Sequence, residues 1–133
     1  MQQGHEPRIR GRLSRANEAL LGAASEFAAG RYNNTTSRAY YACFHIAVAS
    51  LLLDGASDPP GNQWRHAQTI GRFAGLLRRW DIESPVVGFR SLRERADYAA
   101  DTEGDGVSSL AAARILGEVL TLRYRLATRL NWR

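Results

Sequence analysis

The apolar residues of this chain recur at helical spacing from one end to the other. Between about Arg8 and Ala29 they follow steps of three and four residues, and the stretch from Ser109 to Leu130 repeats the pattern. Such steps place side chains on one face of an α-helix, whereas a half-buried strand needs alternation. No segment alternates apolar and polar residues in that way. The pattern therefore predicts an all-α protein.

Turn-forming residues divide this pattern into five segments. Gly30 is a plausible helix stop, "DGASDPPGNQ" must be a loop, and Ser84 with Pro85 suits a helix start. The second predicted helix starts at a cap on Asn33 or Asn34 and ends at about residue 54. The other four span about 8–29, 64–80, 86–100 and 109–130. Residues 1–133 are then one domain, an up-and-down bundle of four to five helices, with residues 1–7 a disordered tail.

The second segment carries polar residues in an apolar run, "SRAYYACFHIAVASLLLDG" over residues 37–55. On a helical wheel Arg38, Tyr41 and His45 share one stripe, and Tyr40 and Phe44 fall on the opposite one. Both stripes are largely apolar, which predicts that the helix is covered on both sides. The bundle core is one cover, and the other is either a further helix or a second copy of the chain.

The stripe of Arg38, Tyr41 and His45 has the residue types of a phosphate site. Histidine can act as a general acid or base near neutral pH, and arginine can hold a phosphate and stabilise the charge that develops on it. Tyr41 could hydrogen-bond the same ligand. Two copies packed about a two-fold axis would bring both sets into one groove. The alternative is a hydrogen-bonded structural histidine.

The charge of the chain permits an anionic partner. The net charge is +5, and all 18 basic residues are arginine. Arginine forks onto phosphate in a way that lysine does not, so a nucleic acid is one candidate. The run "RIRGRLSR" could follow a nucleic-acid backbone. GC-rich coding and an ordinary solvated surface explain the same composition.

Two further groups are candidate binding residues. Arg93 and Asp97 lie four residues apart on the fourth predicted helix with Tyr98 beside them, so the pair could position a site or pin two helices together. His66 opens the third helix, where an anion is favoured, but a simple surface histidine fits equally well.

Other site classes receive no support from the sequence. Cys43 lies among apolar residues and is interpreted as a core residue, and the histidines have no zinc-type spacing. We therefore expect no metal and no cofactor. The longest apolar run is far short of the ~20 residues that span a bilayer, and "MQQGHEPRIRGR" does not look like a signal peptide. We expect a cytoplasmic protein without a membrane partner.

Three blocks resemble the HEPN-domain family of small bacterial and archaeal helical proteins. "GRYNNTTSRAYYACFHIAVASLLLDG" resembles the first block of the family, "WRHAQTIGRF" the middle block and "LRERADY" the third. They occur in order and cover most of the chain between Gly30 and Tyr98. The resemblance implies a HEPN-like helical bundle, commonly a homodimer.

The resemblance also implies two functions, which stay open. Many HEPN proteins are metal-independent endoribonucleases, toxins or defence effectors, with an arginine, four to six residues and then a histidine, which Arg38 and His45 match. In that reading His45 is the acid or base, Arg38 binds the phosphate and Tyr41 assists. Because Ala39 stands where active members usually have a polar residue, a non-catalytic module remains the alternative. That module would bind a nucleotide, a nucleic acid or a nucleotidyltransferase antitoxin.

Overall fold

The computed structural model of the chain describes residues 6–99 and 106–132. Its five α-helices are Glu6–Ala28 (α1), Tyr32–Leu53 (α2), His66–Arg79 (α3), Val86–Ala99 (α4) and Ser109–Leu126 (α5). A short 3-10 turn, Pro60–Asn62, lies between α2 and α3, and the described ranges contain no strand. The prediction of an all-α bundle is confirmed, and its HEPN-like character stays a prediction.

The first and last helices differ from their predicted bounds. Because α1 begins at Glu6, two residues of the predicted tail are helical, while residues 1–5 lie outside the described range. The last helix ends at Leu126 rather than Leu130. There the chain turns back, and the amide of Trp132 donates to the carbonyl of Ala127 at 2.8 Å. The turn buries both Leu130 and Trp132, which a continued helix would have carried away from the core.

The start of α2 also departs from the predicted capping. Asn33 lies inside the first turn, where its side-chain oxygen accepts a hydrogen bond from the amide of Val107 at 2.9 Å. The capping position is held by Arg31, without a side-chain cap. Gly30 is the stop that the sequence indicated: its φ of 77° lies in the left-handed region, and its amide bonds back to Phe27. A tight turn therefore joins α1 to α2.

The predicted Ser84 cap of α4 is also wrong. Its buried Oγ finds no hydrogen-bond partner among the described residues. Helix α4 starts only at Val86, and the carbonyl of Pro85 accepts from the amide of Gly88 at 3.0 Å instead. The start of this helix is thus held by backbone groups.

Helix α2 is the centre of the bundle and contacts each of the four other helices. Its residues from Ile46 to Leu52 are all buried, and α1 is the helix that packs against it most extensively. Cys43 is fully buried there, and burial raises the pKa of its thiol to about 12. The interpretation of Cys43 as a core residue is confirmed. A central helix of this kind holds its polar side chains in fixed positions.

Candidate functional site

Arg38 lies at the edge where α2 meets α1. Its Nη2 is 3.7 Å from Oε1 of Glu26 on α1, and its guanidinium lies over Gly22 so closely that a Cβ there would be 2.6 Å from Nη1. Its side chain is still 52% exposed. Along this stripe the second cover of α2, which the sequence left open, is therefore α1 of the same chain.

His45 contacts the same neighbouring helix nearer its start. Nδ1 of His45 is 3.2 Å from Nη1 of Arg12. A guanidinium can only donate, so Nδ1 accepts and the imidazole proton sits on Nε2. Burial lowers the pKa of His45 to about 4, and the charges of Arg12 and Arg15 and the interaction with His66 add to this effect. His45 is thus a neutral imidazole at pH 7.

His66 stands close to His45 at the start of α3 and is held by two aromatic side chains of α2. Its Nδ1 is 2.9 Å from the hydroxyl of Tyr40, and its ring stacks on Phe44 with 4.2 Å between centroids. Burial lowers the pKa of His66, as do the nearby charges of Arg93 and Arg90. The imidazole of His66 is also neutral at pH 7. Its other nitrogen, Nε2, takes part in neither of these two contacts.

Arg93 joins α4 to this group. Its Nη2 donates to the hydroxyl of Tyr41 at 3.0 Å, and its Nε is 2.9 Å from the carboxylate of Asp97. The other oxygen of Asp97 accepts from Oγ of Ser37 at 2.7 Å. The Arg93–Asp97 pair therefore holds α4 against α2, which is one of the two roles that the sequence left open for it. The pair also places a guanidinium beside Tyr41.

These contacts bring together most, but not all, of the predicted residues. Five side chains from four helices form what we call the histidine surface: Arg12, Tyr41, His45, His66 and Arg93. Arg38 lies on the same helix stripe, about two turns or roughly 10 Å from His45 along the axis. Tyr98 belongs to α4, and its side chain lies outside the described residues.

Sequence reasoning missed three contributors to this surface. Arg12 stood only within the basic run "RIRGRLSR", whose members Arg8, Arg12 and Arg15 recur at helical steps and so share a face. Tyr40 and Phe44 were assigned to the stripe opposite the site. The structure instead sets the Tyr40 hydroxyl and the Phe44 ring against His66, because α3 packs across that side of α2.

The charge around the two histidines is positive. The charged neighbours that depress their pKa values are arginines of α1 and α4. On α4, Nε of Arg93 lies 2.9 Å from the carboxylate of Asp97, and Nη2 of Arg90 lies 3.4 Å from that of Glu94. Two neutral imidazoles set among arginines can donate hydrogen bonds to an anion. They can also take up protons when the negative charge of the anion comes close.

Other features of the described residues do not suggest a metal or membrane site. Within residues 6–99 and 106–132 no three His, Cys, Asp or Glu side chains converge as metal ligands would. None of the helices in this part of the chain combines the length and the apolar character that crossing a bilayer requires. Comparisons of the chain with protein-family models, with curated proteins and with solved structures each found no match. The resemblance to the HEPN family therefore stays a prediction.

Proposed function

We propose that this protein is a metal-independent endoribonuclease that binds and cuts RNA at the histidine surface. The observation that carries the proposal is the setting of His45 and His66. They lie close enough to interact, both are half buried, and arginines of two other helices depress their pKa values. A phosphodiester would add negative charge beside these arginines, and imidazoles are the groups that move protons at neutral pH.

The shape of the surface favours a single RNA strand. Tyr41 is 37% exposed and lies under the guanidinium of Arg93, at 5.4 Å from ring centroid to Cζ. Exposed aromatic rings stack on unpaired bases, while arginines hold the phosphates on either side. Arg12 of α1 lies against His45 and Arg93 of α4 lies against Tyr41, so the phosphates of one strand that crosses this surface would meet guanidinium groups of both helices.

The reaction needs one base and one acid, and the two histidines can divide these tasks. In this reaction Nδ1 of His66 donates to the Tyr40 hydroxyl, so Nε2 is free to take the proton of a ribose 2′-hydroxyl, whose oxygen attacks the neighbouring phosphorus. The bond from phosphorus to the 5′-oxygen breaks, and His45 gives that oxygen a proton, leaving a 2′,3′-cyclic phosphate. His45 takes this proton from water beforehand, because the bound phosphate raises its pKa and draws Arg12 away from Nδ1. Arg93 balances charge on the phosphate.

In this assignment the site is complete within one chain. Arg38 serves a second phosphate of the strand, since its side chain is half exposed although Glu26 is close. The resemblance to HEPN proteins supports a toxin or defence role and a cytoplasmic location. A nucleotidyltransferase antitoxin would be the partner that covers the histidine surface.

A second function has an observation of its own. Both residues of the arginine–histidine motif already have partners within the chain, Arg38 with Glu26 and His45 with Arg12. Such pairs suit a non-catalytic module, which would bind a nucleotide, a nucleic acid or a nucleotidyltransferase through the same surface without cutting RNA.

The test is cleavage of a mixed set of RNAs by the purified protein in EDTA. Wild type should produce cyclic-phosphate ends, and His45→Gln and His66→Gln should each lose about 100-fold or more in rate, the usual worth of an acid or base. Arg114→Gln, on the exposed side of α5, is the matched control for Arg12→Gln and should cut normally. RNA binding without cleavage by wild type would select the module. Neither binding nor cleavage would overturn the nuclease and RNA binding together, and would leave only a module that binds a nucleotide or a nucleotidyltransferase.

A further inference from the structure

One face of α1 begins with arginines and continues with small residues. Arg12 and Arg15 lie three residues apart and share this face, and Arg15 is exposed. Burial lowers the pKa of Arg12 and the charge of Arg15 adds to this effect, so the two guanidinium groups lie close together. The face continues at steps of three and four residues through Ala19 and Gly22 to Glu26. Between Arg15 and Glu26 it therefore carries only small side chains.

The side chain of Arg38, from α2, fills the space above these small residues. It lies across Gly22, where a Cβ would be 2.6 Å from Nη1 and 3.2 Å from Cδ. Atoms in contact normally lie about 3.5 Å apart or more, so a larger residue at position 22 would displace this guanidinium. Gly22 lies roughly 10 Å along the helix beyond Arg15. Arg38 thus takes the place of the next basic residue on this face, and we call Arg12, Arg15 and Arg38 the arginine row.

Gly22 differs in this respect from most other glycines within the helices. At four of them a Cβ would meet no described atom within 4 Å: Gly11, Gly71, Gly88 and Gly117. Glycine is a poor helix former, so its presence inside a helix calls for a reason. At Gly22 the reason is the side chain of Arg38. The atom that a Cβ would meet first is the far end of this flexible side chain, so a Cβ would move the guanidinium and leave the backbone in place.

Glu26 holds the far end of the arginine row by charge. Its Oε2 accepts from Arg31 and Asn34, while its Oε1 lies 3.7 Å from Nη2 of Arg38. That separation is longer than a hydrogen bond, so the N–H groups of Arg38 remain available to a ligand. The side chain of Arg38 is 52% exposed. Glu18, the other acid in this part of α1, lies about 80° around the helix from Glu26 and so beside the row rather than in it.

We propose that Gly22 is a positioning residue for Arg38, and that the arginine row binds successive phosphates of one nucleic-acid strand that runs along α1 away from the histidines. This inference rests on the proposed function, because it extends the ligand of the histidine surface beyond the reacting phosphate. Arg12 meets the phosphate at His45, and Arg38 meets one roughly 10 Å further along the strand. The ligand of the complete surface is therefore an oligonucleotide rather than a single nucleotide.

The first test measures binding of a DNA oligothymidylate of about 12 nucleotides, which has no 2′-hydroxyl and is not cut, across a salt series. Arg38→Gln and Gly22→Ala should each weaken binding about 5-fold at about 0.1 M salt. Each should also reduce the slope of log K against log salt by about 0.7, the value for one phosphate contact on a single strand. Gly22→Ala in the Arg38→Gln background should change nothing further. Gly117→Ala is the matched control and should bind like wild type, because a Cβ there meets no described atom.

A single nucleotide separates the arginine row from the histidine surface. Thymidine 3′-phosphate is long enough to reach Arg12 and the histidines but not Arg38. Arg12→Gln should therefore weaken its binding, whereas Arg38→Gln and Gly22→Ala should not. In RNA cleavage Gly22→Ala should raise KM about 5-fold and leave kcat unchanged, because Arg38 lies roughly 10 Å from the reacting atoms. Urea unfolding should show Gly22→Ala to be at least as stable as wild type, since alanine is the better helix former.

The outcomes distinguish this inference from the proposed function. Equal binding of the oligothymidylate by Gly22→Ala and wild type, or additive losses in the double variant, would overturn the positioning role of Gly22. A marked loss of stability in Gly22→Ala would overturn the placement of a movable side chain over this residue. Weaker binding of thymidine 3′-phosphate by Arg38→Gln would place Arg38 at the reacting phosphate and overturn the row.

The nuclease and the arginine row can also fail separately. If wild type does not cut RNA but the oligothymidylate series behaves as expected, the nuclease is overturned and the row stands. If wild type cuts RNA and Arg38→Gln leaves both KM and the salt slope unchanged, the row is overturned and the nuclease stands. A wild type that does not bind the oligothymidylate would overturn the row in either case.

Discussion

Acidification should destabilise the protein through His45. The unfolded chain binds the imidazole proton with a pKa near 6.5, while the folded chain binds it only near 4. Between these values the unfolded state holds more protons, so the stabilising contribution is complete above about pH 7 and is lost as the pH falls toward 4. Acidification to about pH 5 would cost about 2 kcal/mol for a fully enclosed group. Because His45 is partly open to water, we expect about 1 kcal/mol.

The assay is urea unfolding followed by far-UV circular dichroism at several pH values from about 7.5 to 5. His45→Gln is the matched variant, because glutamine can still accept from Arg12 but does not titrate. His66, whose pKa is also lowered, titrates in both proteins. The difference between the two pH profiles therefore isolates His45, and the variant should lose about 1 kcal/mol less than wild type on acidification. Parallel profiles would refute the burial of His45 beside Arg12.

Binding of single-stranded DNA would connect the pH dependence of stability to the proposed function. Single-stranded DNA lacks the 2′-hydroxyl and cannot undergo the proposed reaction, but its phosphates carry the same charge. If they bind at the histidine surface, they should raise the pKa of His45 and make the wild-type profile shallower. DNA that binds without changing the profile would place the phosphates elsewhere on the chain.

Three further changes have defined outcomes. Tyr40→Phe removes the hydrogen bond to His66 and should lower the free energy of unfolding by about 1 kcal/mol. It should also shift the imidazole resonances of His66 in NMR spectra, and unchanged resonances would contradict the contact. Gly30→Ala forces a Cβ into the left-handed region at φ 77° and should cost about 1–2 kcal/mol in the same urea assay, unlike Gly71→Ala. Cys43 should react with a thiol reagent only at the rate of unfolding because it is buried, and rapid labelling of the native protein would show that it is accessible.

The fold was largely predictable because its signals are local. Helix periodicity and the stops at Gly30 and around the Pro-Pro pair depend on neighbouring residues alone. The misplaced details depend on distant contacts: Asn33 was expected to cap α2, but it bonds to the amide of Val107, 74 residues away. The end of α5 at Leu126 was missed because it depends on burying Trp132, which no local pattern reveals.

The site was predictable only along α2. A helical wheel gives the angle of each α2 side chain, so it placed Arg38, Tyr41 and His45 on one stripe, but it does not say which helix covers each angle. In the structure Arg38 and His45 contact α1, whereas Tyr41 contacts α4. Tyr40 was set opposite the site because α3 was not expected on that flank. Arg12 pairs with a histidine 33 residues away, and only the three-dimensional packing of α1 brings them together.

The tight turn at Gly30 also has a consequence for how quickly the chain folds. It joins the two helices with the most extensive mutual packing, so they come together across a short connection. Contacts of this kind need little loop closure, and helical proteins rich in them fold in microseconds to milliseconds. We expect the α1–α2 hairpin to be structured in the folding transition state. The bonds from Val107 to Asn33 and from Arg123 to Asn17, which join residues 74 and 106 positions apart, should then form late and affect mainly the unfolding rate.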